Sequence, residues 1–343
     1  MSRQLFLDLA ASGLRMPIGT HLVLHEQADH EAILLDGQRL GRVVEEAACR
    51  FRTPLAFPLM DLKLEKEALL LARGVAPSAV DTFHFSDLPD LRAEFKLTPN
   101  MNAVCGGIRC ISEQTDLLPV GMAIGPFSLM TKLISDPIAP VFMAGAGSSA
   151  EDDHEVALVE RLLELSFETI RDYLNAQIAA GAKAIILCEP AANKVYFSPN
   201  QLAESFDVFD HYVMKFNLAL RDQLAARGVE LILHDCGELT DGMVSRLAQL
   251  DPAMISLGSS RKLWEDAALV PQTTVLYGNL PTKQFYSDGL VSVEKVRELS
   301  ADLVGRMRQT GHPFVLGSEC DVLSVPGSKE TIKKKVAAFL DIA

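Results

Sequence analysis

An apolar run, Leu231-Ile-Leu-His-Asp-Cys-Gly237, ends in two soft metal ligands, His234 and Cys236, one residue apart. In a β-strand, residues i and i+2 project from the same side, so one strand end can aim an imidazole and a thiolate at one point. Cys320 closes a second run, Pro313-Phe-Val-Leu-Gly-Ser-Glu-Cys320. If the two run-ends are neighbours, three ligands converge and a fourth position stays open, as a catalytic zinc requires; a structural zinc is usually closed by four protein ligands. The competing account is a capping histidine beside a small buried cysteine, since free cysteine is among the most buried residue types. Two matching run-ends favour the metal.

Other polar groups also follow apolar runs: His25, Asp61, Glu189, Asn279 and Glu319. Asp61 follows Leu-Ala-Phe-Pro-Leu-Met and precedes Glu65 and Glu67, so it suits a helix N-cap and a site acid equally. Glu189, in Cys188-Glu-Pro190, precedes a rigid proline and suits a partner for a ligand histidine, a substrate contact or a fourth metal ligand. Asn279, in Tyr277-Gly-Asn-Leu-Pro281, fits a tight turn. His21 and His25 alternate along one expected strand, and His25 is the better site candidate. Cys49 and Cys188 read as packing, and Cys105 and Cys110 as loop filler around a Gly-Gly turn.

The elements that must position these residues alternate in type. Eight apolar runs, near 19–25, 54–61, 119–126, 182–189, 229–234, 253–258, 273–278 and 313–317, are separated by longer stretches. Those at 153–180, 198–227, 239–249, 291–311 and 328–340 carry helical spacing. Strands apolar on both faces between helices indicate a parallel sheet covered on both sides. Eight such units indicate a (β/α)8 barrel, an α/β TIM barrel with its site at the carboxyl ends of the strands. An open doubly wound sheet is the alternative, but no Gly-x-Gly-x-x-Gly follows an early strand. The chain reads as one barrel domain over 1–343, with a leading helical segment at 1–17, an insertion of extra helices or a strand pair at 62–118, and a flexible loop at 145–149.

The whole chain narrows the function classes. Its 343 residues, 48% hydrophobic and 22% charged, fit a soluble globular enzyme. A formal net charge of -13 argues against nucleic acid as a partner. Six scattered cysteines form no secreted-domain framework, the amino terminus carries no signal segment, and no run is long enough to span a bilayer. A reducing cytoplasm and no membrane partner are expected.

His234-Asp-Cys-Gly237, Gly-Asn-Leu-Pro at 278–281, Gly-Pro-Phe-Ser-Leu at 125–129 and Glu-Pro at 189–190 resemble the uroporphyrinogen decarboxylase superfamily. His-x-Cys with a distant cysteine is similar to its corrinoid-dependent methyltransferase branch, such as the methylcobamide:coenzyme M methyltransferases. The resemblance implies a (β/α)8 barrel with zinc (Zn2+) held by His234, Cys236 and Cys320. It also implies a small-molecule thiol acceptor bound as thiolate, and a methylcobamide corrinoid on a separate partner protein. Asp61 and Glu189 would then be the catalytic carboxylates that orient acceptor or ligand, with His25, Asn279 and Glu319 against substrate. A coordinated thiol is deprotonated outright, so a sulfur nucleophile exists at neutral pH without a separate base.

Two departures accompany the resemblance. The decarboxylase's arginine-rich carboxylate clamp is replaced by Met16-Pro-Ile-Gly-Thr-His-Leu-Val-Leu-His25, which has no arginine after Arg15 and so argues electrostatically against a tetracarboxylate substrate. The second metal cysteine follows Glu319, where the family has a glycine. The rival expectation is a metal-independent lyase acting on a carboxylate substrate through Asp61, and a third is a non-catalytic corrinoid-binding barrel. The acceptor is open between coenzyme M, tetrahydrofolate and another thiol.

Overall fold

The computed structural model describes residues 3–91 and 94–341. Runs such as Leu118–Ile124 and Ala184–Cys188 are buried at every position, the pattern of strands covered on both faces. Among the described residues there are eight strands: β1 (Arg15–Met16), β2 (Leu55–Ala56), β3 (Leu118–Ile124), β4 (Ala184–Cys188), β5 (Glu230–Asp235), β6 (Met254–Leu257), β7 (Val275–Leu280) and β8 (Phe314–Ser318). All pair in parallel, in the order β1-β8-β7-β6-β5-β4-β3-β2. The sheet curls into a (β/α)8 barrel with helices outside. Between β1 and β2 the tie is made by side chains: the Thr53 hydroxyl lies 3.1 Å from Met16 Sδ, and the Thr20 hydroxyl donates to Phe57 O at 2.7 Å.

Parity along each strand sorts its side chains. Ala184, Ile186 and Cys188 of β4, with Ile232 of β5, join Val120, Met122, Met254, Tyr277 and Val315 inside the barrel. Ile185, Leu187, Leu231 and Leu233 pack outward against the helices. The longest helix, His154–Ala179, starts where the Asp153 side chain accepts from the Glu155 and Val156 amides. Its buried Gln177 side chain exchanges hydrogen bonds with the Met122 backbone on β3, at 2.8 and 2.9 Å, which fixes helix against sheet. Among the described residues, no helix is long and apolar enough to cross a membrane.

Several local expectations are corrected. Residues 19–25 form no strand: Thr20–Leu24 is a short helix, and β1 lies earlier. A fully buried run this short carries no period that separates helix from strand. His21 and His25 are therefore one helical turn apart rather than alternate on a strand. The run at 54–61 is strand only over Leu55–Ala56. The stretch 62–118 holds the helices Leu64–Leu71 and Pro99–Gln114 and, among the described residues, no strand pair; Arg92 and Ala93 lie outside them. The leading segment contains the helix Gln4–Ala11, with Met1 and Ser2 outside the described residues. Cys105 and Cys110 are buried within Pro99–Gln114, not in a loop. Gly106 between them is what lets this helix cross Gly37–Arg50, because a Cβ there would stand 2.9 Å from the Gly37 Cα. Asn279 belongs to β7, not to a turn, and Gly145 ends the helix Ile138–Gly145.

Candidate metal centre

The inward parity of Ile232 continues to His234 and Cys236 at the carboxyl end of β5. The register pairs His234 with Ser256 of β6, and His234 Nδ1 lies 2.9 Å from the Ser256 hydroxyl. With that hydroxyl accepting from Nδ1–H, Nε2 carries a lone pair. Nε2 is buried and has no hydrogen-bond partner, a state that costs about 1–3 kcal/mol unless a ligand satisfies it. Cys320 arrives from the end of β8, across the barrel mouth. The ligand atoms of His234, Cys236 and Cys320 all lie within 4.8 Å of one another, with the imidazole buried and both thiols half-buried. A buried imidazole, held at Nδ1 by the Ser256 hydroxyl and grouped with two thiols, is a donor set that fits zinc.

The electrostatics suit a thiolate site. The hydrogen bond from Cys320 pulls the Cys236 thiol far below its usual range against the opposing effect of burial. The same hydrogen bond, together with burial and the Cys236 charge, pushes Cys320 up. The two sulfurs therefore titrate as a pair rather than singly. Lys283 stands beside them. Burial works against its ammonium, but Cys236, Cys320 and Glu319 hold it charged. Asp235, between the two β5 ligands, is pushed well above the carboxylate range by burial; one oxygen accepts from the Gly237 amide at 2.8 Å and the other has no partner.

The remaining sequence candidates hold more structural positions. Glu189 is buried, and its carboxylate accepts from the Phe127 amide at 3.1 Å, the Ser128 amide at 2.9 Å and the Asn217 side chain at 2.9 Å, anchoring the segment after β3. Glu319 accepts from the Ser259 amide and hydroxyl and, at 3.4 Å, from the Lys283 amide, tying together the loops after β6, β7 and β8. The Asn279 side-chain amide donates to Gly258 O and Arg261 O at 2.8 and 2.9 Å. Asp61 is half-buried and accepts from the Lys63 amide at 3.1 Å, a side-chain turn ahead of Leu64–Leu71 rather than its N-cap, which is Lys63. His25 is exposed, its ring 5.9 Å from that of His21 and 5.1 Å from that of His30. His21 is the histidine at the mouth: it pairs with Asp321, which follows Cys320 directly. Burial opposes its charge, but Asp321 and then Asp61 outweigh that and raise its pKa.

Ser256, Lys283 and Asp235 carry no role in the sequence reading. Ser256 reaches the site only through inter-strand register, which a single sequence does not display. Lys283 does carry a faint signal, two residues beyond the Gly-Asn-Leu-Pro stretch that closes β7.

The uroporphyrinogen decarboxylase (URO-D) family matches residues 71–342. Among solved structures, a methyltransferase from Methanosarcina mazei superposes with a TM-score of 0.64 at 16% identity, over 95% of this chain and 91% of that one. At that identity the likeness is one of fold. No curated protein matches the chain.

Proposed function

The chain belongs to the uroporphyrinogen decarboxylase family, and we propose that within it this protein is a zinc-dependent methyltransferase. It would move a methyl group between a corrinoid on a partner protein and a thiol or similar small-molecule acceptor. The observation that carries this reading is the buried, unpartnered His234 Nε2 facing two thiols. Zinc bound there supplies Lewis acidity that holds the acceptor sulfur as a thiolate at neutral pH.

The chain's own residues do the rest. Ser256 accepts from His234 Nδ1 and keeps Nε2 turned to the site. The Cys236 and Cys320 thiolates offset the metal's charge, which preserves electron density on a bound sulfur. The Lys283 ammonium balances the negative charge gathered by three sulfurs. Glu319 braces the loops after β6 and β7, so the rim keeps its shape while a partner docks at the carboxyl ends of the strands. A reducing cytoplasm, where we place the protein, keeps both thiols available.

The test is elemental analysis joined to turnover with methylcobalamin and small thiols. About one zinc per chain is expected, and Cys236→Ser should lose metal and methyl transfer together. A metal-free protein that transfers methyl groups at full rate would refute the reading. Loss of activity in Asp61→Asn with indifference to chelators would instead favour the lyase.

A further inference from the structure

The loop after β2 brings another sulfur to this place. Met60 is the centre of a tight turn in which the Asp61 amide donates to Leu59 O at 3.0 Å. Its side chain is half-buried and packs against the apolar cluster that fills the barrel. Its Sδ lies 3.5 Å from Cys320 Sγ. Two sulfurs on one tetrahedral zinc, each about 2.3 Å from the ion, stand about 3.8 Å apart. The separation between Met60 and Cys320 is thus close to one edge of a four-coordinate site. His234 and Cys236 reach the centre from β5 and Cys320 from β8, whereas Met60 approaches from β2, a side none of the three uses.

We propose that Met60 is the fourth ligand of the resting metal centre, occupying the position that the acceptor thiol takes during turnover. This rests on the metal-dependent reading above and adds what holds the open position between turnovers. A thioether is chemically suited to that position. It is soft enough to bind beside thiolates, yet it is neutral, has no proton to release and binds more weakly than a thiolate. It also keeps water off the ion, so no metal-bound hydroxide forms to hydrolyse anything. Exchange balances simply. The metal–Met60 sulfur bond breaks, a metal–thiolate bond forms, and the thiol proton passes to solvent. Two thiolates, an imidazole and a thioether leave a dication neutral. The incoming thiolate makes the centre anionic, and Lys283 is the cation already beside it.

Zinc-edge X-ray absorption on the full chain tests this without relying on activity. Loaded wild-type protein should show three sulfur neighbours and one nitrogen, and Met60→Leu two sulfurs with an oxygen. Selenomethionine-labelled wild type should show one selenium neighbour at the zinc, a readout that needs no mutation. Adding 2-mercaptoethanol should leave the sulfur count of wild type at three and raise that of Met60→Leu from two to three. The variant should also bind 2-mercaptoethanol at least about threefold more tightly, because no internal competitor must be displaced. Zinc retained with two sulfurs in both proteins, no selenium neighbour and equal thiol affinity would overturn the role of Met60 and leave the metal reading standing. Failure of the wild type to hold zinc at all would overturn both.

Discussion

At the centre of the site the two imidazole nitrogens of His234 play different parts, one facing the sulfurs while the other is held by a serine. Replacing that serine should therefore act on the metal alone. Ser256→Ala is expected to weaken zinc binding by about 10–100-fold, measured by competition with a chromophoric chelator, without changing the fold. Glu65 gives a residue-scale prediction of another kind. Burial pushes its carboxyl up to about 8, against the pull of backbone amides including that of Ile124 on β3. In the unfolded chain it titrates near 4.5. Between those values the folded state holds a proton that the unfolded state has lost, so stability is full below the lower value and falls as pH rises towards the upper. The slope is at most about 1.4 kcal/mol per pH unit, and Glu65→Gln should flatten it in denaturant titrations between about pH 5 and about pH 8. His234, Cys236 and Cys320 were legible because rare residue types ended apolar runs. Glu189 was legible by the same rule, yet its oxygens are engaged with Phe127, Ser128 and Asn217. A run-end locates a side chain at the mouth but does not say whether it faces substrate or backbone.

The elements tell a similar story. Runs such as those of β4 and β5 were recognisable because they lie between helical stretches, whereas 19–25 was too short and too uniformly buried to show a period. The Gly106-Gly107 pair read as a turn, since glycine is the usual loop punctuation. In the structure it marks the close crossing of Pro99–Gln114 and Gly37–Arg50, where the backbones meet at Gly37 and Gly106. Gly106→Ala tests this. The gain of roughly 1 kcal/mol in helix propensity is outweighed by overpacking, for a net loss of about 1–2 kcal/mol in chemical denaturation. A variant as stable as the parent would show that the two helices separate without cost.

For the molecule as a whole, seven of the eight apolar runs fall on strands; they pointed to the barrel without excluding an open sheet, and the family match agrees with the barrel. What the count did not convey is how unequal the strands are. β3, β5 and β7 run six or seven residues, whereas β1 and β2 have two each. Among the described residues, backbone ladders run continuously from β2 through β3 to β8 and on to β1, and the last gap is stitched by Thr53 and Thr20. Mechanically this is a split ring. Its continuous arc carries His234 and the two cysteines, while Met60 and His21 follow the two short strands beside the cut. If Met60 is the fourth donor, three donors rest on unbroken ladders and one on the strand held by side chains, so loosening the Thr53 and Thr20 ties would move the thioether relative to the other three.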